Sequence, residues 1–175
     1  MQKKIKIIGI DPGIALVGYS VIEVETQHGK INLSKKPRLI DCGVISTKSD
    51  KKLWERLHLI KLDLTELIQK YKPEVAVVEL IYFTKNVKTG IAVAHGRGVI
   101  LQTLSEQGRD NIIEFTPTHL KQVLFGHGKA SKHEIQAVVS QFLGLQEIIK
   151  PDDAADATAI ALAFLRSEFA FRLDY

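Results

Sequence analysis

The sequence predicts an α/β fold: a mixed five-stranded sheet, strands 1–3 antiparallel and strands 4–5 parallel, flanked by helices. Three observations carry this. Residues 5–10 form a short, nearly unbroken apolar run stopped by Asp11, Pro12 and Gly13, the pattern of a strand covered on both faces. Two more strand-like runs follow after short connections, which favours an antiparallel meander. An amphipathic helical stretch then leads to another apolar run at 74–79, and a helical crossover between buried strands makes them parallel.

Taken in order, residues 18–24 read as the second strand, and a polar stretch holding Gly29, Lys35, Lys36 and Pro37 breaks it. A partial strand fits 31–33, and the third strand runs over 39–45. Ser49 or Asp50 can cap a helix whose stripe is Leu53, Leu57, Ile60, Leu64, Leu67, Ile68 and Tyr71, at spacings of three and four. Pro73 stops it. The fourth strand, 74–79, ends in Glu79, after which Tyr82, Phe83, Lys85 and Asn86 leave on a loop. Tyr82 and Phe83 either fold back onto the core or form a stacking surface for bases.

Val87, Ile91, Ala94, Gly98 and Leu101 make a helical stripe, unusually small in its middle through Gly90, Ala94, Gly96 and Gly98. Small residues there allow close backbone approach to the sheet or to a second subunit. The fifth strand is 112–115. Thr116 and Pro117 open a short helix to about Phe125. A basic, glycine-rich turn over 126–132 leads to a helix with Ile135, Val138, Val139, Phe142 and Leu143 on its apolar face and Gly144 as its stop. The turn lacks the glycine spacing of a P-loop. Its amides with Lys121, Lys129 and Lys132 suit phosphates, and a mobile basic turn with Ser131 as helix cap explains it equally. Pro151, Asp152 and Asp153 begin the last helix.

At 175 residues the chain is most economically one domain, 1–175, with 45% hydrophobic and 25% charged residues. The net charge of +4 leans toward a polyanionic partner. A single cysteine, Cys42, excludes an internal disulfide framework and suits a reducing, cytoplasmic setting. No run is long enough to span a membrane, so no membrane partner is expected.

The chemistry rests on four acids. Asp11 and Glu79 end strands that the topology makes parallel neighbours, so both emerge at one sheet edge, where such sheets place their chemistry. Asp11 taken alone reads more readily as a turn residue. Asp153 and Asp156 are three apart on one helix face, with alanines around them. Without a cation these groups would repel and partly protonate. Oxygen-only clusters select hard divalent metals such as Mg2+ or Mn2+, and a two-ion site can drive in-line phosphodiester displacement. No zinc-protease spacing and no serine-hydrolase elbow occurs.

Gly9-Ile10-Asp11-Pro12-Gly13 with Gly18-Tyr19, Val78-Glu79 followed by Lys85-Asn86, the 94–99 segment with Arg97-Gly98, and Asp153-Ala154-Ala155-Asp156-Ala157 together resemble the RuvC family of Holliday-junction resolvases, within the ribonuclease H-like fold. The resemblance runs nearly the whole chain. It implies that Asp11, Glu79, Asp153 and Asp156 bind metal and are catalytic, with two Mg2+ ions per site and Mn2+ as a substitute. It places the family's junction-centre aromatic on Tyr82, and two lysines of catalysis or DNA contact on Lys121 and Lys132. Phe83, Lys85, Asn86, Arg97 and Lys129 complete the expected DNA-binding set. It further implies a homodimer making paired nicks in four-way junction DNA, in recombination and repair, with a branch-migration helicase as partner. The chain departs from the family pattern at Val17, at Leu80 and in its longer 24–39 connection.

Two other readings compete. An actin-like or sugar-kinase-type ATPase also begins with a strand, an Asp and a glycine turn, but needs a second domain around its cleft. A non-catalytic DNA-binding scaffold would not need all four acids.

Overall fold

The computed structural model describes residues 2–28, 30–32, 34–81, 87–108 and 111–173. The expected loop residues Tyr82, Phe83, Lys85 and Asn86 lie outside them. A single sheet runs through the molecule. β1 (Gln2–Asp11) pairs antiparallel with β2 (Leu16–Gln27), whose outer edge takes both β3 (Lys30–Ile31) and β4 (Arg38–Ser46). On its other side β1 runs parallel to β5 (Val75–Glu79), which runs parallel to β6 (Ile112–Phe115). The sixth strand beyond the expected five is the two-residue β3, on the partial strand read around Ile31. β1 and β2 also reach further than their apolar runs, because pairing from Gln2↔Gln27 to Asp11↔Gly18 carries polar residues into the ladder.

The helix α1 (Leu53–Tyr71) has the expected extent. Its start differs from the expected Ser49 or Asp50 cap: the helix begins after Lys52, whose backbone N–H donates to the Glu55 carboxylate at 2.8 Å. An acid at the third helical position satisfies that end without a capping hydroxyl. α2 (Val87–Glu106), α3 (Pro117–Phe125) and α4 (Lys132–Leu143) follow. Ser131 caps α4 in a reciprocal box with Glu134, and Gly144 closes it at φ 68°.

Strand parity sorts the core into two layers. Ile8, Ile10, Val21, Ala76 and Val78 face α1 and α2. Ile7, Ile22, Val75 and Val77 face the other way, toward α3, α4 and α5 (Asp152–Leu173). From Ala157 to Leu165 α5 is buried at every position, as a helix enclosed on all sides must be. It lies so close to the sheet that two strand positions tolerate only glycine. A Cβ on Gly9 would stand 2.2 Å from the Ala157 carbonyl oxygen, and one on Gly18 2.0 Å from that of Asp153. Of the small residues in α2, Gly96 meets the turn after β1, where a Cβ would lie 2.6 Å from the Gly13 oxygen, whereas Gly98 has nothing within 4 Å.

These two environments predict opposite effects of the same substitution. Gly9→Ala must push α5 off the sheet and should cost ~3 kcal/mol, lowering the melting temperature by roughly 5–10 °C. Gly98→Ala adds helix propensity without a clash and should raise stability by up to ~1 kcal/mol. Thermal unfolding of the two variants checks both.

Candidate active site

The parity that builds the core also aims the acids. Asp11 continues the series Ile7, Gly9, and Glu79 continues Val75, Val77, so both carboxylates leave the sheet on the α5 face. Ile10↔Val78 is the last parallel pair, which sets Asp11 and Glu79 side by side at the carboxyl ends of neighbouring strands. The contact of Gly18 with the Asp153 carbonyl lays the first turn of α5 over this edge. Asp153 and Asp156 therefore come down on Asp11 and Glu79 from above.

Their electrostatics record that convergence. Burial pushes Asp11 up to about 8, and the charges of Glu79, Asp156 and Asp153 push it the same way, while Lys132 opposes them. Burial also lifts Glu79 to about 7, with Asp156 adding to the rise and Lys121 reducing it. Asp156 is raised, first by burial and then by Asp153 and Asp152, against Lys132 and Lys121. Asp11 and Glu79 hold their protons into the neutral range, first because they are buried and then because their neighbours are acids.

Asp152 behaves differently. Its side chain is 54% exposed, accepts from Gln136 Nε2 at 2.9 Å and meets Lys132 Nζ at 3.7 Å. It perturbs Asp156 but not Asp11, so of the adjacent pair it is Asp153 that faces the strand ends. Gln136 is a site neighbour that sequence reading missed; its signal was its place one turn after Lys132 on α4.

The expected cations divide. Lys121, on α3, acts on both Glu79 and Asp156. Lys132 reaches Asp156 at 4.0 Å while 68% exposed. Lys129 is exposed in the turn before α4. Arg97 is not directed at open solvent: its guanidinium pairs with Glu114 on β6, and its Nε is buried without a hydrogen-bond partner. A cleft of about 430 Å³ adjoins the acids, lined by Pro12, Glu79, Leu80, Ile81, Val93 and Pro117 among others.

The donor set is all oxygen and carries more negative charge than it can keep ionised, which suits a hard divalent cation. Among the described residues no three Asp, Glu, His or Cys side chains are already drawn up around one point. The site is an array of repelling carboxylates, not a closed cage.

That repulsion has a measurable consequence without any ligand. In the unfolded chain these acids ionise near pH 4, whereas Asp11 and Glu79 in the fold ionise near 8 and 7. Below pH 4 the groups contribute nothing. As pH rises to 8 the unfolded state sheds protons that the folded state retains, so stability falls. The lowered carboxylates, Glu23, Glu106 and Glu134, act only at acid pH. In metal-free buffer the melting temperature should drop between pH 5.5 and 8, and Asp11→Asn should raise it at pH 8 by about 3 °C or more; a flat profile with no gain in the variant would contradict the cluster.

Comparison with known proteins identifies the family. A family model described as crossover junction endodeoxyribonuclease RuvC matches residues 7–164. The crossover junction endodeoxyribonuclease RuvC of Halothermothrix orenii is 45% identical over 156 residues, covering 89% of each chain. A Thermus thermophilus RuvC structure superposes with a TM-score of 0.82 at 32% identity, over 94% of this chain and 96% of that one. A T. thermophilus RuvC in complex with Holliday junction substrate gives 0.80 at 28% identity, with the same coverage. The sheet edge with its converging acids, and the match along nearly its full length, establish that this chain belongs to the RuvC family of crossover junction endodeoxyribonucleases.

Proposed function

We propose that the chain is a Mg2+-dependent endonuclease that resolves four-way DNA junctions in recombination and repair, acting as a single nuclease domain over residues 1–175. The observation that carries the reading is the convergence of Asp11, Glu79 and Asp156 from two strand ends and a helix start, where Glu79 and Asp156 both raise the proton affinity of Asp11 and Asp156 raises that of Glu79. Family membership and the T. thermophilus complex with a Holliday junction support the substrate.

Asp11, Glu79, Asp153 and Asp156 would hold the metal, two Mg2+ ions with Mn2+ as a substitute. Bound there, divalent ions would supply Lewis-acid polarisation of a phosphoryl oxygen and of an attacking water. Asp11 and Glu79, which hold their protons into the neutral range, are the groups that would have to ionise to hold such a cation. Among the described residues Lys121 and Lys132 are the cations that act on the acids, and they would meet the phosphate oxygens. The pairings of Lys132 with Asp152 and Asp156, at 3.7 and 4.0 Å, are long and exposed, so little holds it back from a phosphate.

Paired nicks in strands of like polarity require two such sites, and hence a homodimer. The outer face of α2, where Ile91 is 51% exposed and Gly98 meets nothing within 4 Å, supports an interface there. A branch-migration helicase is the proposed partner. A cytoplasmic setting is consistent with the lone thiol of Cys42; no described helix is long and apolar enough to cross a membrane.

In Mg2+ the purified protein should nick a synthetic four-way junction and leave matched linear duplex largely intact; equal cutting of both would refute junction selectivity. Asp11→Asn should abolish cleavage and retain junction binding. At pH 8, Mg2+ should raise the melting temperature of the wild type by offsetting carboxylate repulsion, and should do so much less in Asp11→Asn.

A further inference from the structure

The acids lie between two clefts of opposite character. The one beside Glu79 is lined by apolar and uncharged residues apart from Glu79 itself. On the other side, beyond Asp153, an open groove of about 770 Å³ runs between the start of α4 and the segment leading into α5. Lys132 and His133 line its α4 wall, Ile148 and Lys150 its other wall, with Asp152 and Asp153 toward the acid cluster.

The second wall is fixed from beneath. Ile149 is buried at 7% exposure in the core, while its neighbours Ile148, 45% exposed, and Lys150 turn outward into the groove. Asp152 is taken up by Gln136 Nε2 and Lys132 Nζ. Among the described residues no ion pair engages Lys150 or His133, and both are exposed. The groove therefore presents donors on both walls, an exposed apolar side chain on one of them, and Asp152 and Asp153 at the end nearest the acid cluster.

We propose that this groove seats the sugar–phosphate backbone of the cut strand immediately next to the scissile phosphate. Lys150 and His133 donate to phosphate oxygens, and Ile148 packs against a deoxyribose. The proposal rests on the junction-cleavage reading and adds a direction to it: the strand leaves the acids on the α4 side, where Lys132, His133 and Lys150 line the groove, whereas the described lining of the cleft beside Glu79 holds no cation. Lys150 and His133 are positioning residues here, not catalytic ones.

The test measures binding of a fluorescent four-way junction by anisotropy in EDTA, across a salt series. Lys30, exposed on β3 at the opposite end of the sheet from Asp11, provides the control. Lys150→Ala should weaken binding about three- to tenfold and reduce the slope of log Kd against log salt by about one, with Lys30→Ala near wild type. Neutral methylphosphonates placed singly at the three phosphates on either side of the cleavage point add a positional readout. Substitution at one or more on one side should weaken wild-type binding and have little further effect in Lys150→Ala. A Lys150→Ala variant matching Lys30→Ala in affinity and slope would overturn the groove assignment, as would methylphosphonate effects that persist undiminished in Lys150→Ala. Failure of the wild type to bind the junction at all would instead sink the cleavage reading.

Discussion

The contact between α5 and the first two strands is the constraint from which the site follows. Helix and sheet ordinarily pack through side chains. Here Gly9 and Gly18 remove them, and the backbone of α5 rests on the backbone of β1 and β2 at distances that no Cβ could share. Alanine supplies the helix side of this contact at Ala157 and Ala161. Larger residues at these points would lift the helix, and its first turn would carry Asp153 and Asp156 away from the strand ends. The small residues are thus a device for holding opposed acids at close range.

Close range is unfavourable for the apoprotein. Four carboxylates with the deepest of them, Asp11, lifted to about 8 are a local defect that the surrounding core must outweigh. The core on either side of the sheet is built mainly of Ile, Leu, Val and Ala at or near zero exposure, enough to hold such a defect in place. The same arrangement would be wasteful for a scaffold protein and is useful for one whose cluster is neutralised by a ligand. Lys121 and Lys132 soften the repulsion from the periphery without occupying its centre, which leaves the centre open to a cation.

Much of this was legible in the sequence, and the reason is periodicity. The α1 stripe repeats over enough turns that only one helix fits it, and its extent agrees with the structure. The nearly unbroken apolar runs of β1 and β5, joined through a helical crossover, make them parallel and give Asp11 and Glu79 a shared edge, while their shared face follows from the register of the sheet. What escaped was set by tertiary contact. The start of α1 depends on Glu55 folding back onto Lys52, not on the hydroxyl or acid upstream that local preference favours. Asp152 and Asp153 are indistinguishable as letters and separate only when Gln136 and Lys132 claim the first. Arg97 looked like a free cation until Glu114, distant in sequence, was found beside it. Lys150 carries no motif at all, and the burial of Ile149 next to it turns it into the groove.

The asymmetry of the two clefts bears on how such a site could favour a strained junction over linear duplex. A cluster that merely bound phosphate would be satisfied by any DNA. A cluster flanked by a basic groove on one side and, on the other, by a cleft whose described lining holds no cation offers a strand unequal surroundings across one phosphodiester. Regular duplex presents the same charge every step along its backbone, so part of it would face a wall that gives nothing in return. A strand that turns sharply at the cut, as at the crossing point of a four-way junction, can leave its charged flank in the groove and bring a less charged surface to the cleft. Shape, expressed through where counter-charge is withheld, is then as much a determinant of substrate choice as the acids are of chemistry.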